Sequence, residues 1–153
     1  MLGRNNVVEV GVALGRLISN IRADELRQTQ VKLEDSLGMV SSRDIISRED
    51  LPSFARSTVD GYAVRAEDTF GATEAMPAYL NLYKEVLMSQ KADFSLPEDS
   101  ASKIPTGGML PENADAVVMF EYVQTVDKQM IEALKPVAPA ENVVQVGEDV
   151  KRG

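Results

Sequence analysis

Val7, Val10, Leu14, Leu17 and Ile21 recur at spacings of three and four, the period of one helix face. Asn6 with Glu9 three residues later offers an N-cap and a capping-box acid, so the pattern predicts a helix over roughly 6–22. "QVKLED" is a brief alternating stretch, "LEDSLG" a short helix closed by Gly38, and "VSSRDIIS" a strand leading to Leu51-Pro52. From Pro52 onward the period shortens to two. In "YLNLYKEVLM", Leu80, Leu82, Val86 and Met88 share one strand face, with Tyr79, Asn81, Tyr83 and Glu85 on the other. "ADAVVMFEYV" is apolar enough for a buried strand, and "MIEALKPV" and "NVVQV" are further strands. The clusters "SLPEDSAS", "PTGGMLPEN" and "PVAPAEN" separate them as turns. Short strands at this spacing predict a small β-barrel or sandwich attached to a helical N-terminal part.

Composition narrows the chemistry. The 153 residues contain no cysteine and no histidine, which excludes disulfides, thiolate nucleophiles and imidazole proton transfer. Proton transfer falls to carboxylates, Lys, Tyr or water, and any metal must be a hard cation such as Mg²⁺. A net charge of −8 and only 5% aromatic residues argue against nucleic-acid binding. No run reaches the ~18–20 apolar residues that span a bilayer and the N-terminus lacks a signal-peptide core, so a cytoplasmic protein is expected, without membrane contact.

Three stretches could carry chemistry. In "LPSFARSTVDGYAVRAED" an Asp-Gly pair, Asp60-Gly61, interrupts a short apolar strand. It is either a hairpin turn or a backbone bend that presents a carboxylate to a cleft. In "KIPTGGMLPENADAVV" the Thr106-Gly107-Gly108 turn is either structural or a cradle of N–H groups for an oxyanion, without the ending of a Walker A loop. In "VGEDVKRG", Glu148 and Asp149 follow Gly147 in a solvated turn, or contribute a carboxylate to the cleft of Asp60. This charged end reads as an interior point of a longer protein.

In this order, "LPSFARSTVDGYAVRAEDT", "IPTGGMLPENADAVVMFE" and "ENVVQVGEDVKRG" resemble the N-terminal region of the MoeA family, the molybdopterin molybdenumtransferases, which include gephyrin-type E domains. The resemblance covers the chain from about Val8 onward. It implies an α+β fold: a helical or mixed dimerisation part (1–51 plus 142–153) carrying an inserted β-rich, barrel-like module (52–141). The resemblance also implies a fragment of a four-domain protein, with the pterin-binding and C-terminal domains outside the chain. Asp60, Thr106 and Asp149 match the family's acid, threonine and acid. Four positions depart from the pattern: Val59 for methionine, Gly108 for alanine, Asn113 for glycine and Val144 for arginine.

The resemblance further implies molybdenum cofactor biosynthesis. Molybdate is transferred into adenylylated molybdopterin with Mg²⁺-dependent release of AMP, by a homodimer with a molybdopterin adenylyltransferase as upstream partner. Because a chain at −8 repels anions, its acids make better sense as Mg²⁺ ligands facing a basic pocket on another domain. Asp60 and Asp149 are then the metal ligands, and Thr106, Gly107 and Gly108 the cofactor contacts, with Thr106 donating to a phosphate oxygen. The fragment alone is expected to be inactive. The alternative is a non-catalytic MoeA-like dimerisation or scaffold module.

Overall fold

The apolar run from Ala116 to Val126 reads as one strand but breaks in its middle. Ala116–Met119 form a strand, Phe120–Tyr122 a single 3₁₀ turn, and Val123–Thr125 a second strand. In the computed structural model, which describes residues 7–22 and 27–153, these two strands form opposite edges of one sheet. The chain divides into two units, residues 1–45 and 46–153.

The first unit contains helix α1 (Val10–Ser19) and a 3₁₀ turn at Leu33–Asp35. No residue of α1 is buried, and Val10, Leu14, Leu17 and Ile18 all stand in solvent. The helix is shorter than the 6–22 expected, and the N-cap expected at Asn6 lies outside the described residues. Gly38 has φ +82°, the left-handed geometry expected after the short helix, which is here one 3₁₀ turn. The stretch "VSSRDIIS", expected as a strand, is irregular and pairs with no strand among the described residues. No described helix is long and apolar enough to cross a membrane.

The second unit holds β1 (Arg56–Ser57), β2 (Gly61–Val64), β3 (Ala78–Glu85), β4 (Ser100–Ile104), β5 (Ala116–Met119), β6 (Val123–Thr125), β7 (Met130–Ala133) and β8 (Val143–Val144). Six of them form a mixed sheet in the order β5-β2-β4-β3-β7-β6, and β1 pairs with β8. All contacts in the large sheet are antiparallel except β3 with β4.

The short link between β5 and β6 dictates the sheet's shape. Five inter-strand gaps of ~4.8 Å would separate the edges of a flat sheet by about 24 Å. From Met119 to Val123 the chain spans at most about 14 Å. The sheet therefore curls into a near-closed half-barrel. Its inner core confirms this: Ala116 and Val118 of β5 share one buried cluster with Ile131 and Ala133 of β7, against which Val123 of β6 packs. A second cluster (Ala63, Ile104, Val117, Leu110 and Val143) fills the outer face of the β5-β2-β4 end under the loops.

Along β3 the alternation holds as expected, with Leu80 buried, Leu82 half-buried, and Tyr79, Asn81 and Tyr83 exposed. The strand stops at Glu85, so Met88 lies beyond it and is 58% exposed. "NVVQV" yields only the two-residue β8. β4 was missed, because "SASKI" carries three small or hydroxyl residues that read as turn.

Two positions make sharp stability predictions. A Cβ on Gly61 would sit 2.1 Å from the Val118 carbonyl oxygen across the ladder. Gly61→Ala should therefore cost about 3 kcal/mol or more, read as a lowered urea midpoint. Ser102 is fully buried, and its hydroxyl has no hydrogen-bond partner among the described residues. Ser102→Ala should be neutral or raise stability by roughly 1 kcal/mol; a loss of that size would show that the hydroxyl has a partner in solution.

Candidate functional site

Asp60 is the last residue of the bend Thr58–Asp60, between β1 and β2. The Asp-Gly pair is not a hairpin turn: Gly61 opens β2 and pairs with Ile104 on one side and Met119 on the other. Glycine stands there because the β5 backbone passes too close for any side chain. The strand's start is thus pinned on both sides, and the residue just before it projects at the sheet's end.

Thr106 lies just beyond β4, and its loop meets Asp60. One carboxylate oxygen, Oδ1, accepts both the Thr106 N–H at 2.7 Å and the Thr106 hydroxyl at 2.9 Å. The backbone bond, then the hydroxyl, hold the exposed Asp60 carboxyl below the usual aspartate range. The second oxygen, Oδ2, accepts no hydrogen bond from the described residues.

The loop's remaining donors are also engaged. Gly107 N–H donates to Ser57 O at 2.8 Å, Gly108 N–H donates to Pro105 O at 2.8 Å, and Ser57 N–H returns a bond to Gly108 O at 3.0 Å. The three amides on which an oxyanion cradle would draw, Thr106, Gly107 and Gly108, thus have acceptors already. The hydroxyl hydrogen of Thr106 is likewise committed to Asp60, so donation to a phosphate would require giving up that bond. As built, the loop is a carboxylate holder.

Asp149 stands apart from this pair. It follows Gly147 (φ +70°), its N–H donates to Leu51 O at 3.0 Å, and its side chain shares no hydrogen bond with Asp60 or Thr106. Its neighbour Glu148 closes the turn by accepting Gln145 N–H at 2.7 Å. Among the described residues no group of three or more Asp and Glu could hold a metal.

Asp60 lines a cleft of about 350 Å³ whose wall includes Glu85, Lys103, Met88, Pro105 and Phe120. Tyr62 packs edge-on against Phe120 with ring centroids 5.2 Å apart, fixing that wall. Lys103 and Glu85 form an ion pair at 3.0 Å. Neither was singled out in the sequence: Lys103 sits beside the Thr-Gly-Gly motif, but nothing in the pattern announces Glu85 as its neighbour.

Two of the four departures from the family pattern have local reasons. Asn113 has φ +68°, a left-handed conformation in which asparagine is the usual substitute for glycine. A Cβ on Gly108 would lie 2.7 Å from Ile104 Cγ1 and 2.9 Å from Pro105 O, so alanine does not fit beside this isoleucine. Val59 is half-buried against the outer core cluster. Val144 pairs with Arg56 across the β1–β8 ladder, and nothing in the structure explains its departure or that of Val59.

Comparison with known proteins places this geometry. The family profile described as MoeA N-terminal region (domain I and II) matches residues 8–153. A molybdopterin biosynthesis protein of Methanocaldococcus jannaschii is 46% identical over 125 residues, 81% of this chain but 29% of that relative. A molybdopterin molybdenumtransferase of Staphylococcus epidermidis is 32% identical over 84% of this chain and 30% of its own length. A crystal structure of a molybdopterin biosynthesis MoeA protein from Pyrococcus horikoshii aligns with TM-score 0.71 and 46% identity, covering 80% of this chain and 31% of that one. The chain thus spans about three-tenths of the length of these relatives.

Two outcomes follow from the loop. Because the folded carboxyl of Asp60 is depressed, its contribution is fully present above the unfolded aspartate pKa and is lost as pH falls through the folded one. Thr106→Val keeps the N–H and removes the hydroxyl, so carboxyl NMR should show Asp60 titrating part-way back toward the ordinary value; an unchanged titration would contradict the geometry. Gly108→Ala should cost about 1–3 kcal/mol in denaturant unfolding through the clash with Ile104 and Pro105.

Proposed function

The chain belongs to the family of MoeA N-terminal regions, and from that membership we propose that it is part of a molybdenum insertase in molybdenum cofactor biosynthesis. The reaction is transfer of molybdate into the dithiolene of adenylylated molybdopterin, with release of AMP. The observation that carries this reading is the Asp60 carboxylate, on the motif matched to the family's acid, held ionised by Thr106 at the mouth of a cleft.

Each residue has a role suited to an anionic substrate. Asp60 keeps its charge at any physiological pH, because both Thr106 donors favour the ionised form. Thr106 is a positioning residue that acts through Asp60. Phe120 and Met88 give the cleft an apolar side. Asp60, whose Oδ2 accepts no hydrogen bond from the described residues, would hold a hydrated Mg²⁺, since magnesium is commonly bound by one or two carboxylates together with substrate phosphates. When bound it would neutralise phosphoanhydride charge. Asp149 is the candidate for a second carboxylate, approached from its own turn.

The acidic balance of −8 fits a division of labour in which another domain supplies the basic pterin and phosphate pocket. In this reading residues 1–51 with 142–153 form the dimerisation part, and 52–141 the inserted module of a four-domain cytoplasmic homodimer. A molybdopterin adenylyltransferase supplies its substrate.

The test is molybdate-dependent AMP release by the full gene product that contains this chain. Asp60→Asn should lower kcat by roughly a hundredfold or more, and Asp149→Asn should weaken the Mg²⁺ dependence. Full Mg²⁺-dependent release by Asp60→Asn would overturn the reading in favour of a non-catalytic scaffold, which tolerates both changes.

A further inference from the structure

The parallel ladder between β3 and β4 contains an irregularity at the cleft. Leu82 pairs with Ala101, but the next pair is Glu85 with Lys103, a step of three residues on β3 against two on β4. Without the extra residue Lys84 would face Lys103, a repulsive pair of like charges. The bulge instead brings Glu85 beside Lys103, while Lys84 lies over the Tyr83 and Phe94 rings at 5.4 and 5.0 Å. Bulges beside active sites commonly re-aim a side chain in this way.

Among the described residues Lys103 is the one basic residue lining the Asp60 cleft, and the two carboxylates there, Asp60 and Glu85, outnumber it. An anion entering the cleft would meet net negative charge unless the Lys103 ammonium turns toward it. That exchange is easy. Both partners of the pair are 52% exposed, and such pairs contribute little stability. Glu85 keeps the ammonium charged, yet a tetrahedral oxyanion carrying two charges attracts it more strongly than one carboxylate does.

We propose that Lys103 is the oxyanion contact of the Asp60 cleft and that Glu85 is its displaceable holder, positioned by the β3 bulge. This rests on the reading of the cleft as a site for anionic substrates and goes beyond it by naming the cation and its regulation. The shared ligand chemistry is a tetrahedral oxyanion, either a nucleotide phosphate or molybdate.

The experiment is a titration of the chain with AMP and, separately, with molybdate, followed by amide NMR shifts at Lys103 and Thr106. Lys103→Gln should weaken binding roughly tenfold, the worth of one charge-assisted hydrogen bond. Lys103→Arg should retain it, and Glu85→Gln should tighten it several-fold. In the Lys103→Gln background Glu85→Gln should tighten binding by clearly less than in the parent, a coupling that a merely structural ion pair would not produce. A stronger response to AMP assigns the contact to phosphate, and a stronger response to molybdate assigns it to the metal oxyanion. Wild-type chain that binds neither, unchanged affinity in Lys103→Gln, or weaker binding in Glu85→Gln would each overturn the proposal. Failure of the insertase reading shows instead as full Mg²⁺-dependent AMP release by Asp60→Asn in the full gene product, with these affinities intact.

Discussion

A three-residue link, Phe120–Tyr122, joins strands at opposite edges of a six-stranded sheet. That one constraint forces the curl, and the curl makes the site. With β5 and β6 drawn together, the inner core fills with small and branched residues, Ala116, Val118, Ala133 and Ile131. The end of the half-barrel opens where β2 begins and where β3, β4 and β5 end. Asp60, Lys103, Glu85 and Phe120 all meet at that mouth. The link itself forms part of the wall, since Phe120 is its first residue and Tyr62 braces it.

The mouth is built to keep charge fixed in place. Thr106 gives Asp60 two donors on one oxygen, leaving the other open. Its loop is tied down in turn by Gly107 and Gly108 to Ser57 and Pro105. The glycines serve this anchoring rather than offering free amides. An exposed carboxylate thereby stays ionised without burial, which suits a residue meant to face a cation or a polar substrate. Beside it, the Lys103–Glu85 pair keeps a cation near the cleft in a chain that is otherwise strongly acidic.

Much of this was legible from the residues, though unevenly. The half-buried face of β3 followed from strict alternation, and the barrel-like module from the spacing of short strands. The link between β5 and β6 was hidden because Phe120 and Tyr122 are as apolar as the strands around them, so periodicity saw one strand. β4 was hidden for the opposite reason, its buried small residues Ser100, Ala101 and Ser102 reading as a turn. Asp60 was singled out on the ambiguous grounds of an Asp-Gly pair; the glycine proved to mark a close strand approach instead. The pairing of Asp60 with Thr106 had no local signal, as the two lie on different loops. Glu85 depended on a bulge, which one sequence does not announce. Asn113 and Gly108, by contrast, depart from the family pattern in ways that a left-handed φ and a tight contact with Ile104 explain.

On the proposed insertase reading, Asp60 and Thr106 act as one unit. A double-mutant cycle on AMP release by the full gene product, with Asp60→Asn, Thr106→Val and the pair, tests it most directly. If Thr106 works only through the Asp60 carboxylate, its substitution should lower kcat in the parent and change little once Asp60 is asparagine. Independent, additive losses would contradict the account and assign Thr106 a contact of its own.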